Sequence, residues 1–305
     1  MKILIVGILN QNKHFLRIKE EGEKRGHVIE GCFVSDLIVA FNDKRTDIYL
    51  KSKRRLSDFD IIYLWTLGKR RWEWQVAAKI VAKTNPNIRF INSSFVNFSD
   101  LSFTPCAIYP IQVQAENSLL YPRTALFYNT KALPDFLADF EYPVIVKFAN
   151  SSQGRGVFKA DSKEELLSLV GDMQKTKEPI LLRQFIPNDG DFRIITLGYK
   201  AIGAMKRIPV PGNYKANISQ GATAKAVDLG KCHEIVEIAE RLSKLTKIEI
   251  AGVDIVLDKE TGKPYILEIN PGPQFLGMEK YTGFNIARAI INYFEQLEKD
   301  KSLQS

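Results

Sequence analysis

Cysteine and histidine are scarce in this chain, three of each in 305 residues. Cys32, Cys106 and Cys232 lie far apart and form no CxxC pair. That excludes a zinc ribbon and a disulfide framework, and it fits a reducing, cytoplasmic setting. His14, His27 and His233 are equally scattered, which suits chemistry that runs on positioning and electrostatics. No apolar run approaches the roughly 18 residues that a membrane span needs. The apolar start KILIVGIL is short and polar NQNKH follows it, so it reads as a first β-strand and not as a signal peptide. A GxGxxG fingerprint is missing, because Gly7 stands alone, and the GxxxxGK[ST] of a P-loop is missing too. Internal repeats and low-complexity segments are also lacking. Asn92 and Asn150 open Asn-x-Ser sequences, which carry weight only in a secreted chain.

The rest of the composition is ordinary for a globular protein, with 45% hydrophobic and 26% charged residues. The length suggests two or three packed units. Forty-three basic residues against 35 acidic ones give a net charge of +8. That suits an anionic ligand or partner, though lysines on solvated helices would give the same sum.

Residues 1–100 alternate strand and helix signals: KILIV, helical HFLRIKEEGEKRG ending at Gly26, HVIEGCFV, DFDIIYLWT, helical WEWQVAAKIVAKT, and IRFINSS. This βαβ rhythm predicts a small parallel sheet. Pro105, Pro110 and Pro122 break the stretch 100–122 into a linker. Beyond it come the strands ALFYN, PVIVKFA, VFKA and ILLRQFI with two helices among them. DFRIITLGY, KAIGAMKRIPV, a polar loop, a helix over KCHEIVEIAERLSKLT, AGVDIVLD and YILEIN follow. The tail GFNIARAIINYFEQLEK is an amphipathic helix.

Four features carry chemistry. Lys147 sits among apolar strand residues, where a phosphate is a natural partner for its charge; a lysine snorkelling from an edge strand is the alternative. NSSQGRGVF (150–158) places Gly154 and Gly156 between two strands. Its backbone amides could close over phosphates, or it is a plain hairpin turn. Asp254 on one strand and Glu268 and Asn270 on the next should pair across the short turn DKETGKP. Three oxygen donors on one face suit Mg²⁺; a salt-bridged carboxylate pair would not account for the uncharged Asn270. Arg193, Lys206, Arg207 and Lys215 gather around GNYKANISQGA, either to hold an anionic acceptor or as a solvated basic loop.

In the order VIVKF, SQGRGV, LLRQFI, DFRI, MKRIPVPGNYKANISQGA, AGVDIV, LEIN and GMEKYTGFNIA, these segments resemble an ATP-grasp ligase of the ribosomal-protein glutamate ligase (RimK-like) branch. The likeness covers about residues 140–290. It implies an α/β fold, α+β in the ATP-binding part. A small amino-terminal parallel-sheet domain (1–105) would precede two α+β subdomains that clamp ATP: a central one (106–186) and a carboxy-terminal one with the Mg²⁺ site (187–305). It implies that Lys147 contacts the ATP phosphates and that Ser152, Gln153, Gly154 and Gly156 belong to a loop covering them. Arg183, Gln184, Phe185 and Ile186 would line the adenine pocket, and Asp191 would meet the ribose or nearby ATP groups. Lys215 and Asn217 would touch ATP and substrate. Asp254, Glu268 and Asn270 would hold two Mg²⁺ ions, for which Mn²⁺ could substitute. Arg193 and Arg207 would face the γ-phosphate and the acyl phosphate. The chain departs from the ribosomal-protein ligase at Ile208, where that enzyme has a second arginine, at Lys215, where it has arginine, and at Ser219–Ala222, SQGA against HRGG. Gln184 replaces a glutamate common in the family.

The resemblance thus implies an ATP-dependent carboxylate–amine ligase. It would join a glutamate-like amino acid to a small-molecule, peptide or protein carboxylate through an acyl phosphate. A homo-oligomer is compatible with it. The rival within the same fold is an ATP-binding scaffold or regulator without ligase activity. A third reading takes KSKRR (51–55) and GKRRWEW (68–74) as a nucleic-acid surface with interleaved Arg and Trp; no recognised nucleic-acid motif supports it, and neither nucleic acid nor membrane is expected as a partner.

Overall fold

The computed structural model describes residues 1–8, 11–41, 46–96, 119–129, 133–136, 140–148, 156–173, 178–210 and 221–302. The first layer is the expected parallel sheet. Its strands are β1 (Lys2–Val6), β2 (Val28–Cys32), β5 (Ile61–Leu64) and β6 (Arg89–Ile91), in spatial order β2-β1-β5-β6. Helix α1 (Lys13–Glu23) starts where the Asn12 side chain accepts the His14 N–H at 2.8 Å, an N-cap bond. It stops just before Gly26, whose φ of +77° ends helical geometry. Helix α2 (Arg71–Thr84) covers the other face. Between β2 and β5 lies an antiparallel hairpin, β3 (Leu37–Phe41) with β4 (Thr46–Leu50), that the sequence pattern does not announce.

The second layer is an antiparallel sheet of β7 (Thr124–Phe127), β8 (Val144–Phe148), β9 (Val157–Ala160) and β10 (Ile180–Gln184), ordered β7-β10-β8-β9. Helix α3 (Leu133–Phe136) and helix α4 (Lys163–Met173) accompany it. One face buries Phe127, Val144, Val146, Ile180 and Leu182 under Leu166 and Val170 of α4. Because side chains alternate along a strand, Lys147, Leu181 and Arg183 must point the other way.

The third layer has five antiparallel strands: β11 (Asp191–Leu197), β12 (Lys200–Ile208), β13 (Thr223–Val227), β14 (Ile250–Leu257) and β15 (Pro264–Asn270), ordered β13-β12-β11-β14-β15. Ile194, Ala251, Val253, Ile255, Ile266 and Ile269 pack under helix α5 (His233–Thr246). Helix α6 (Leu276–Thr282) precedes helix α7 (Ile286–Ser302). Helix α7 returns to the first layer. Ile286, Ile290, Ile291 and Phe294 are fully buried in one cluster with Ile3, Ile5, Phe15, Ile18 and Ile29. Burying each of these side chains contributes about 1.5–3 kcal/mol relative to leaving it in water. The carboxy-terminal helix therefore ties the first and third layers into one body. No helix among the described residues is long and apolar enough to cross a membrane.

Candidate active site between the antiparallel sheets

The site is built on the face of the third sheet that turns away from α5. Strands β14 and β15 pair as expected across the turn, but the register slips by one residue. Ile255 is opposite Ile266, and the next pair is Asp254–Glu268, so Leu267 is the extra residue of a bulge. Gly252 and Asn270 form the last pair, and Arg193 on β11 lies opposite Asp254. Asp254, Glu268, Asn270 and Arg193 thereby share one face.

Ion pairs fill that face. The Arg193 guanidinium donates to both Asp254 oxygens, from Nε to Oδ1 and from Nη2 to Oδ2, the latter at 2.6 Å. Arg207 donates from Nε and Nη2 to the two Asp191 oxygens at 2.6 and 2.5 Å, and its Nη2 also lies 3.1 Å from Asp254 Oδ2. All four residues are buried. Asp191, expected at the ribose or nearby ATP groups, has both oxygens on Arg207. Gly190 makes that approach possible: at φ +107° an added Cβ would run into the Arg207 carbonyl oxygen. Lys206 turns to the opposite face, where its ammonium lies 5.5 Å from the Phe192 ring centre, so only Arg193 and Arg207 among the described cations of that region meet.

Burial pushes the Asp254 carboxyl up to about 6 against the pull of Arg193 and Arg207, and the nearby carboxylates Asp191 and Glu268 add to the rise. Glu268 behaves oppositely. Burial would raise it, but Lys147, Arg193 and the Asn270 amide outweigh burial and bring it down to about 2. Asn270 Nδ2 donates to Glu268 Oε1 at 2.9 Å. Two carboxylates side by side with an amide are an oxygen-only donor set, the type a hard divalent cation takes. Among the described residues no group of three or more His, Cys, Asp or Glu is arranged for a metal. The fit therefore rests on Glu268, Asn270 and Asp254 together.

Lys147 belongs to the facing sheet. It pairs in register with Leu181 and Val157, and its attraction to Glu268 spans the space between the two sheets. Arg183 joins them directly: Nε donates to Thr124 Oγ1 at 3.2 Å, and Nη1 donates to the carbonyl of Leu267, the bulge residue, at 2.9 Å. Gln184 ends β10. There it lines a cleft of about 420 Å³ with Leu120, Tyr121, Arg123 and Tyr265. The Phe185 ring lies 5.2 Å from the Lys159 ammonium, and Ile186 is buried. Thr124, the partner of Arg183, lines the same cleft as Gln184. Gly156 sits at φ +64°, and a Cβ there would meet the Phe148 ring at 2.8 Å. Ser152, Gln153, Gly154, Lys215 and Asn217 lie outside the described residues.

A cationic sheet facing a carboxylate-edged sheet, after a parallel αβ layer, matches a known family. The model of the RimK-like ATP-grasp domain fits residues 108–294. The chain belongs to the RimK-like ATP-grasp family. A probable alpha-L-glutamate ligase of Psychromonas ingrahamii is 28% identical over 97% of this chain and 95% of its own. Two ATP-grasp ligases of known structure share the fold. PsnB, solved with a phosphomimetic variant of a minimal precursor, Mg and ADP, superposes with a TM-score of 0.70 at 15% identity, over 97% of this chain and 98% of that one. D-alanine–D-alanine ligase from Bacillus anthracis, solved with ATP, gives 0.68 at 14% identity over 99% of both. The expected ATP-grasp fold and ligase class are thus found.

Within this RimK-like chain the two tryptophans of the stretch 68–74 differ: Trp72 is exposed and Trp74 turns inward. Trp74 is fully buried and donates to the Val34 carbonyl at 2.8 Å. Arg54 reaches Glu30 at 2.7 Å, and Arg70 reaches Glu73 at 2.8 Å. Residues that sequence reasoning passed over do reach the site's edge. Asn92, noticed only as the start of Asn-x-Ser, is fully buried against it.

Proposed function

We propose that the chain is an ATP-dependent carboxylate–amine ligase that forms an amide bond. The geometry of one sheet face carries the reading: Asp254, Glu268 and Asn270 come together beside Arg193, and Arg183 of the facing sheet binds the Leu267 carbonyl next to them. Such a pairing of cation and carboxylate suits a polyphosphate bridged to a divalent ion. Glu268, Asn270 and Asp254 would hold Mg²⁺, which supplies charge neutralisation of the phosphates. Lys147 would bind phosphate oxygens. Arg193 and Arg207, fixed by Asp254 and Asp191, would present their remaining N–H groups to the anion that develops during transfer. A substrate carboxylate oxygen attacks the γ-phosphorus as the bond to ADP breaks. The amine nitrogen then attacks the acyl carbon, phosphate leaves, and the nitrogen loses a proton.

The names of the relatives support a glutamate-like amine substrate, and the PsnB complexes with precursor support a peptide carboxylate. Residues 1–105, 106–186 and 187–305 would serve as the preceding domain, the phosphate-covering part and the metal-bearing part. The test is ADP release from Mg-ATP across a panel of amino acids, each with and without peptide and small carboxylate partners. Release that needs both an amine and a carboxylate supports the ligase. ATP binding with no acceptor-dependent ADP release would instead make the chain a nucleotide-binding scaffold.

A further inference from the structure

The carbonyl of Pro271, directly after Asn270, accepts two hydrogen bonds from the first layer. Asn92 Nδ2 donates at 2.8 Å and the Tyr63 hydroxyl at 3.0 Å. Asn92 Nδ2 also reaches the Leu64 carbonyl at 3.3 Å, and its Oδ1 accepts the Ile250 N–H at 3.0 Å. Ile250 opens β14, the strand of Asp254, and Pro271 follows β15, the strand of Glu268 and Asn270. Gly252–Asn270 is the last pair in register. One side-chain amide therefore bridges the two strands at the end where their own pairing stops.

The bridge is buried and closely packed. Asn92 is fully buried and sits at φ 62°, ψ 61°, a left-handed conformation that Asn tolerates better than most residues. Gly272 lies flat on Trp65, where an added Cβ would run into the indole ring. Beside Asn92 the Ser93 N–H donates to the buried Glu249 at 2.9 Å. Asn92, Tyr63 and Trp65 all lie outside the residues 108–294 that the family model matches.

We infer that Asn92 and Tyr63 are positioning residues for the metal-and-phosphate edge. By gripping the Pro271 carbonyl they fix how Glu268 and Asn270 are presented at the end of β15. The first layer, which contributes no proposed ligand, thereby sets the affinity for the divalent ion. This rests on the ligase reading above.

Two variants test it in the full chain. Tyr63→Phe removes only the hydroxyl. Asn92→Asp keeps the shape and the acceptor for Ile250 but turns oxygen toward the Leu64 and Pro271 carbonyls. Mn²⁺ binding in the presence of ATP is followed by electron paramagnetic resonance, together with the thermal midpoint. An Ile18→Val control weakens the first-layer core without touching Pro271. The half-saturating Mn²⁺ concentration should rise about threefold in Tyr63→Phe and about tenfold in Asn92→Asp, and stay put in the control. A lowered midpoint with Mn²⁺ binding within about twofold of the parent would overturn the inference, because a purely structural role acts on stability alone. An equal shift in the control would overturn it too. If Asn92→Asp does not fold, Tyr63→Phe decides. A parent chain that binds no Mn²⁺ with ATP refutes the ligase reading as well, whereas a binding parent with unmoved variants refutes only this inference.

Discussion

Arg207 offers the sharpest test of the site's electrostatics. Its side chain is 10% exposed and grips both oxygens of Asp191 while its Nη2 also reaches Asp254. Arg207→Lys keeps the charge but replaces a planar fork with a point donor. One ammonium on a shorter stem cannot reproduce the paired hydrogen bonds to Asp191 and still reach Asp254. Hydrogen bonds to charged groups are worth about 1.5–3 kcal/mol each. The lysine gives up the bidentate grip, but relaxation strengthens the single bond that remains, so the net cost should be about 2–3 kcal/mol. Arg207→Met removes the charge and leaves Asp191 buried without its partner. Breaking a buried pair in this way costs about 3–5 kcal/mol.

Urea denaturation of the three chains, extrapolated to water, measures both differences. The order parent, Lys, Met is the expected result. Lys and Met variants both within about 0.5 kcal/mol of the parent would refute the buried network, since substitutions away from such features fall in that range. Equal losses for Lys and Met would mean that fork geometry, and not charge, carries the whole effect. The raised basicity of Arg207 agrees with the expected order: burial alone would lower it, yet Asp254 and Asp191 more than compensate.

Glu268→Gln keeps the shape of the edge but removes its charge. Mg-ATP turnover should fall about a hundredfold or more, and normal ADP release would sink the metal assignment. The thermal midpoint should drop as well, because Lys147 and Arg193 hold the native carboxylate in its charged form. Gly190→Ala drives a methyl group into the Arg207 carbonyl oxygen at φ +107°, so the urea midpoint should fall by the equivalent of at least about 1–3 kcal/mol; an unmoved midpoint would contradict the close approach. Glu21 accepts from Arg17 of its own helix at 2.7 Å and ties α1 to the start of α7 through Asn285 at 3.2 Å and Arg288 at 3.3 Å. The hydrogen bond from Arg17 outweighs burial and holds its carboxyl down at about 2. A depressed value means stability that is full above the ordinary carboxylate range and lost as pH falls through the folded value. Glu21→Gln should thus cost about 1–2 kcal/mol at pH 7, after discount for the exposed partners. That difference should vanish in melts taken between about pH 4.5 and about pH 2; a gap that persists at the acid end would exclude the linkage.

The first layer was legible because its strands are short, apolar and spaced by helical runs, so period alone separates them. The antiparallel pairing of the strands that carry Asp254 and Glu268 was legible from the short turn between them, but the register that sets the two carboxylates opposite each other was not. The hairpin of β3 and β4 was not. Ile38, Val39 and Phe41 read as core residues but are exposed, so neither alternation nor burial marks them. Strand β13 hid in a polar stretch because its inward residue, Ala224, is small and its neighbours Thr223 and Lys225 are exposed. Lys206 and Arg207 looked equivalent as a cationic pair. Adjacent strand residues face opposite ways, and only the ladder shows which of the two meets Asp254. Asn92 gave no signal, since a buried asparagine that bridges backbone groups is indistinguishable in sequence from a loop asparagine.

The bulge at Leu267 links these observations. In an unbroken ladder counted from Leu257–Pro264, Asp254 would face Leu267, and Glu268 would face Val253. Side chains paired in register share a face. Val253 packs under α5, so an unbroken ladder would drive Glu268 into that apolar core, where an unpaired carboxylate is costly. One extra residue reverses the parity of everything after it. Ile266 and Ile269, three residues apart, both reach the core, while Glu268 and Asn270 turn to the side of Asp254. The same slip frees the Leu267 carbonyl from the ladder, and Arg183 of the facing sheet takes it. A single inserted residue thus does two things: it brings two carboxylates to one face, and it supplies the acceptor that holds the cationic sheet opposite them. Deleting Leu267 should therefore separate Glu268 from Asp254 and break the Arg183 hydrogen bond at once, a coupled loss that no substitution at position 267 would reproduce, because the carbonyl and the parity both belong to the backbone.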